Sequence, residues 1–333
     1  MAPAANATPD SSDTAGEERD DSRFARAPVL VAADPPGNWA VLHGGFRSRI
    51  GTFGGIGTFA AAESRTEQFY GALSFALVRN DAGTHAGLLQ TALGRNLSDT
   101  FYGGLQFTLS ENRARTFVGI GQLSLAYNRS LDWNGAAAVG FYNRTDEFTG
   151  GVQLGAYNRA DTKFSGISQV GVVNRASGTF AGLGQIGVVS LARGSYDGLF
   201  QFGAGFARAD RFHGLLQLGG LLAWSERSVG MQVGAASVAT AEHAGLQVGI
   251  VTWAGETHGA QVGLVNVAQE VHGVQIGLFN RTKRLRGVQI GLANNAEDGL
   301  LPWSALLNMG FGDDDSSPAS YAASGPPVRL VAQ

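Results

Sequence analysis

From about residue 50 to residue 298 the chain repeats itself every 14 to 16 residues. A unit that short holds one strand and its turns, so it buries nothing alone and must draw its core from its neighbours. Aligned on the Gln of Gly-x-x-Gln or Gly-x-Gln, the register falls at 58, 74, 90, 106, 122, 138, 153, 169, 185, 201, 217, 232, 247, 261, 275 and 289. Thr58, Ser74 and Ala138 replace Gln in three early units. The clearest form, Gln-x-Gly-x-x-Asn-x-Ala/Thr, stands at Gln153–Ala160, Gln169–Ala176, Gln261–Ala268, Gln275–Thr282 and Gln289–Ala296. Alternation within each unit has period two, which is that of a strand, and no segment carries a helical period. The expected class is all-β.

Alternation also divides each strand into two faces. Val274, Ile276 and Leu278 form one, and Gln275, Gly277 and Phe279 the other. The hydrophobic rule places the Val/Ile/Leu columns in the core, together with a Phe/Tyr column (Phe148, Phe164, Phe180, Tyr196, Phe212) and the Asn column. The Gln/Gly face, with Tyr142, Tyr157, Val173, Val189, Val265 and Phe279, is then the outer surface.

Two architectures accommodate such a repeat. One is a β-solenoid of about 16 coils stacked in parallel. The other is an antiparallel meander closed into a 16–18-stranded transmembrane barrel. The units shorten together along the chain, their turns are alike, and the Asn-x-Ala pair recurs inside the turn. These features favour stacked coils. Strands such as 101–110, apolar on one face and long enough to cross a bilayer, keep the barrel as the alternative.

Residues 1–36, rich in Ala, Ser, Pro and acids, read as a disordered arm and linker. Residues 37–312 read as a single β-repeat domain with end caps at 37–54 and 299–312, and 313–333 as a disordered tail. No secretory signal is visible at the start given. With 24 Lys+Arg against 27 Asp+Glu, nothing suggests nucleic acid as a partner. No apolar run is long enough for a transmembrane helix. The chain has no Cys, which excludes a thiolate nucleophile or a Cys-ligated metal.

Gly-Val-Gln-Ile-Gly-Leu-Phe-Asn and Gly-Val-Gln-Ile-Gly-Leu-Ala-Asn, followed by Gly299-Leu-Leu-Pro-Trp, resemble a bacterial surface-repeat family first named in Leptospira. The resemblance covers most of 50–311. It implies export to a cell surface or outer membrane and implies no activity. The Gln-x-Gly-x-x-Asn-x-Ala unit is also similar to the curlin repeat of bacterial amyloid fibres, whose units form solenoid coils; curlin units are longer and carry a second Gln missing here.

Three local patterns bear on chemistry. Gly182-Leu-Gly184-Gln-Ile-Gly187 matches a dinucleotide fingerprint, but no helix follows and a Gly-rich repeat generates the match by chance. His243, His258 and His272 recur near the repeat Gly of successive units, with Glu242, Glu256 and Glu270 beside them. Stacked, they would form a column able to hold a transition metal, and a solvated turn of mixed charge is the competing reading. Arg129, Arg144, Arg159 and Arg175 each follow the repeat Asn and would stack as an anion-binding column. Internal pairing with Asp146, Glu147 and Asp161 competes with that role. No catalytic constellation emerges and no cofactor is expected. The expected function is a non-catalytic exported surface repeat protein with a structural, adhesion or binding role, meeting a glycan, lipopolysaccharide or another protein through the Gln/Gly face. A barrel serving as pore or anchor is the alternative.

Overall fold

The computed structural model describes residues 38–311, so the arm at 1–36 and the tail at 313–333 lie outside the described residues. The fold is a parallel β-solenoid of about 16 turns, as the repeat predicts, with no helix among the described residues. Strands of successive units pair in parallel, which is incompatible with the antiparallel meander of a barrel. The described residues form two compact units that divide between Gly119 and Ile120.

In the first unit each coil stacks on the next in register. Arg79–Ala92 pairs with Arg95–Thr108 through His85↔Phe101, Gly87↔Gly103 and Gln90↔Gln106. The segments at its start are strands rather than an irregular cap, because Leu42–Gly54 pairs in parallel with Gly57–Ala76. A column of flat rings fills its interior. Phe69 and His85 stack at 4.5 Å, His85 and Phe101 at 5.1 Å, and Phe101 and Phe117 at 5.0 Å, with interplanar angles of 6°, 3° and 2°. One strand spacing separates coils, so a planar side chain repeated in register stacks face to face.

His85 takes the place of a Phe in this column. Neither of its ring nitrogens has a hydrogen-bond partner, and burial pushes its pKa down to about 3. A base whose pKa falls on folding binds its proton more readily in the unfolded chain, so stability rises with pH between about 3 and 6.5 and is greatest above that range. From these values His85 lowers stability by about 2 kcal/mol at pH 5 relative to pH 7.5. In urea titrations at the two pH values, His85→Phe is expected to remove that share of the pH dependence. Equal pH dependence in the two proteins would refute the assignment.

The second unit repeats the design. Phe148, Phe164, Phe180 and Tyr196 stack at 4.8, 4.8 and 4.7 Å. The same column continues as Phe212, then Ser228, His243, Thr257, Val271 and Leu285, all buried. The shift from rings to smaller side chains follows the contraction of the repeat from 16 to 14 residues.

A second interior column is amide. Ten glutamines, from Gln153 to Gln289, form an unbroken ladder in which each Nε2 donates to the Oε1 of the preceding coil at 2.6–3.0 Å. Asparagines make a third column with the opposite sense. Asn128 donates to Asn143, Asn143 to Asn158 and Asn158 to Asn174, at 2.8–2.9 Å, and each Nδ2 also donates to a main-chain carbonyl at the turn. Stacking in register lets most of these buried amides meet an identical one, which offsets the desolvation cost that normally keeps Gln outside.

These columns correct the assignment of faces. All the repeat glutamines are fully buried, whereas Ile276, Leu278, Ile290 and Leu292 are exposed. Glycines explain the inversion. In Gly-x-Gln-x-Gly the two glycines share the inward face with Gln, and the space they leave is occupied. A Cβ at Gly214 would lie 2.7 Å from the Phe212 ring, and one at Gly277 would lie 2.5 Å from Asn266 Nδ2. The first glycine is doubly constrained. Gly273 has φ +141°, and a Cβ there would meet the Gly259 carbonyl oxygen at 2.0 Å. The coil is too narrow for three bulky side chains on that side, so Val and Ile turn outward.

The last coil ends in a strand rather than an irregular cap. Trp303–Phe311 runs antiparallel to Arg284–Ala296 with Gln289 opposite Asn308. Asn308 Nδ2 approaches the last ladder oxygen, Gln289 Oε1, at 3.5 Å and donates to the Leu301 carbonyl at 2.8 Å.

Candidate functional site

With the amides inside, the surface they were expected to form is replaced by an apolar one. In the last coils of the second unit Gly249, Gly263, Gly277 and Gly291 line up as the floor of a groove. One wall is Val248, Val262, Ile276 and Ile290; the other is Ile250, Leu264, Leu278 and Leu292. Leu306, on the closing antiparallel strand, also lines it. The groove encloses about 770 Å³, and no ionisable side chain lines it. Its floor is glycine by necessity, since a Cβ at Gly291 would sit 2.3 Å from the Gly277 carbonyl oxygen. Each coil therefore contributes one Gly and two aliphatic side chains, and stacking turns a three-residue pattern into a shallow, open groove.

The arginine column forms as the spacing predicts, with Arg129↔Arg144, Arg144↔Arg159 and Arg159↔Arg175 in register. Its charge is largely used internally. Asp161 takes Arg144 at 2.9 Å and also pairs with Arg159. Arg175 donates to Ser177 Oγ at 3.2 Å, and Arg129 lies 5.6 Å from the centre of the Tyr127 ring. Partial burial works against the charge on Arg159, but Asp161 outweighs it and raises the pKa.

The three histidines separate. His243 lies two residues before Gly245, aligned with Thr257 and not with His258, so it points inward. It is fully buried with its Nδ1 2.7 Å from Ser228 Oγ, and burial pushes its pKa down to about 4. That correction removes it from the proposed column. A Ser–His pair of this length resembles a nucleophile and its base, but both side chains lie in the core where no substrate reaches them.

His258 and His272 do stack on the surface, with ring centroids 4.7 Å apart and planes 14° apart. Glu256 Oε1 lies 3.3 Å from His258 Nε2 and 3.7 Å from His272 Nε2. Glu270 Oε1 lies 2.9 Å from His272 Nε2, and Glu270 also pairs with Arg284. Partial burial works to raise the Glu270 pKa, but the hydrogen bond from His272 and the charges of His272 and Arg284 hold it below the usual carboxylate value.

The chain matches no protein-family model, no curated protein and no solved structure.

Proposed function

We propose that this chain is a non-catalytic surface repeat protein whose coils form a scaffold for an apolar binding strip, and that the strip takes the acyl chains of a surface lipid. The observation that carries the reading is the aliphatic groove. Large apolar side chains in contiguous rows are costly to leave in water and mark a place where something docks. The wall residues are about half exposed, so covering each Leu or Ile returns roughly 1 kcal/mol. The uncharged lining suits hydrocarbon and offers little to a glycan hydroxyl or a phosphate. The repeat's resemblance to a bacterial surface family supports an exported location. Because the glutamines are interior, the apolar strip replaces the Gln/Gly face as the route to a partner.

A conjugated polyene fatty acid, whose emission rises in an apolar site, tests the reading. Titration of the purified chain is expected to give a saturable rise, weakened at least about tenfold in the Leu264→Glu, Leu278→Glu double variant, because each carboxylate must be desolvated on binding. A flat titration, or the same curve from both proteins, would reject the groove as the binding surface. Cell fractionation with external protease checks the location, and a chain found only in the soluble interior of the cell would reject export.

A further inference from the structure

We propose that Glu256, His258 and His272 form a binding site for a transition-metal dication such as Zn²⁺ on the charged side of the coils, separate from the apolar groove. Metal-ligating atoms of these three side chains all lie within 4.8 Å of one another. A tetrahedral ion with bonds of 2.0–2.1 Å places its ligands roughly 3.3 Å apart. The two separations from Glu256 Oε1, 3.3 Å to His258 Nε2 and 3.7 Å to His272 Nε2, are already close to two edges of that tetrahedron. The third edge, between the two imidazoles, lies within 4.8 Å and closes when the two partly exposed rings rotate toward the ion.

The parallel stack creates this arrangement. Coils of 14 residues bring two imidazoles into register 4.7 Å apart, with both Nε2 atoms facing one carboxylate oxygen. Glu242 Oε1 lies 3.8 Å from His258 Nδ1, just beyond hydrogen-bond distance, and is the carboxylate that would orient the ring once an ion holds Nε2. His272 Nε2 donates to Glu270 Oε1 at 2.9 Å, so an ion takes the place of that proton, and Glu270 keeps its pairing with Arg284. Two imidazoles and one carboxylate leave a coordination position for water or for a ligand atom from a partner. Imidazole and carboxylate donors select a zinc-like ion over calcium or magnesium, which prefer all-oxygen sites.

The test uses the full chain without a histidine tag. Calorimetric titration with zinc chloride in a non-chelating buffer is expected to show one ion per chain, and Co²⁺ in its place should give the visible absorption of a four-coordinate site. His258→Ala and Glu256→Gln should each weaken binding at least about tenfold. His213→Ala, at an exposed histidine that faces Asp197 instead, should leave it unchanged. All three changes are at the surface, and unchanged circular dichroism confirms the fold. Absence of zinc binding to the unaltered chain would overturn the proposal, as would equal binding by the His258→Ala, His272→Ala double variant. Failure here leaves the groove reading intact, because the fatty-acid titration is made without metal.

Discussion

Phe164→Ala is expected to cost about 4 kcal/mol. Phe164 is fully buried between Phe148 and Phe180, each stacked on it at 4.8 Å with nearly parallel planes, so truncation removes two stacking faces and opens a cavity inside one coil. The coil backbone is held by its neighbours on both sides and has little freedom to collapse into the space. In a repeat stack each coil is stabilised only by its own contacts and those of its neighbours. A denaturant titration should therefore show an earlier transition, with hydrogen-exchange protection lost first near residues 148–180. A shift below about 1 kcal/mol would mean that the ring column is not the core of this unit.

Gln185→Leu is the second large effect, about 3 kcal/mol of destabilisation, although the substitution makes the side chain more hydrophobic at nearly constant volume. Gln185 donates to Gln169 Oε1 at 2.7 Å and accepts from Gln201 Nε2 at 3.0 Å. Leucine leaves the Gln169 oxygen buried without that donor. Gln201 keeps contacts to the Ser190 and Arg208 carbonyls, which limits the damage to one side of the break. At an exposed position the same change would lie within roughly 0.5 kcal/mol of neutral. Urea titration thus separates an inward from an outward glutamine: a near-neutral result at Gln185, with Leu183→Ser also costing little, would contradict the amide ladder.

Much of the architecture follows from the period alone. A unit of 14 to 16 residues with two-fold alternation is a strand with turns, and the joint shortening of the units is what coils require when each must match its neighbour in register. The Phe column and the Asn column were recognisable as interior because large rings and turn amides recur at one position. Stacked register also placed His258 beside His272 and lined up Arg129, Arg144, Arg159 and Arg175.

The direction of each face was a different matter. Hydrophobicity puts Val274 and Ile276 inside and Gln275 outside, and that rule holds for a single strand judged against water. It fails here because the partner of each glutamine is the same residue one coil away, a neighbour 14 to 16 residues distant that makes a buried amide inexpensive. Glycines on either side of Gln carry the remaining clue, since their missing Cβ atoms leave room for the ring and the asparagine to enter from other sides of the coil. His243 shows the same dependence on register at the scale of one residue. Counted from Gly245 it falls in the core column, while His258, one position nearer its own glycine, falls on the surface. Pattern and period therefore specify which residues share a column. Whether a column faces core or solvent depends on how the side chains of a narrow coil divide the space inside it, which is a property of the folded stack.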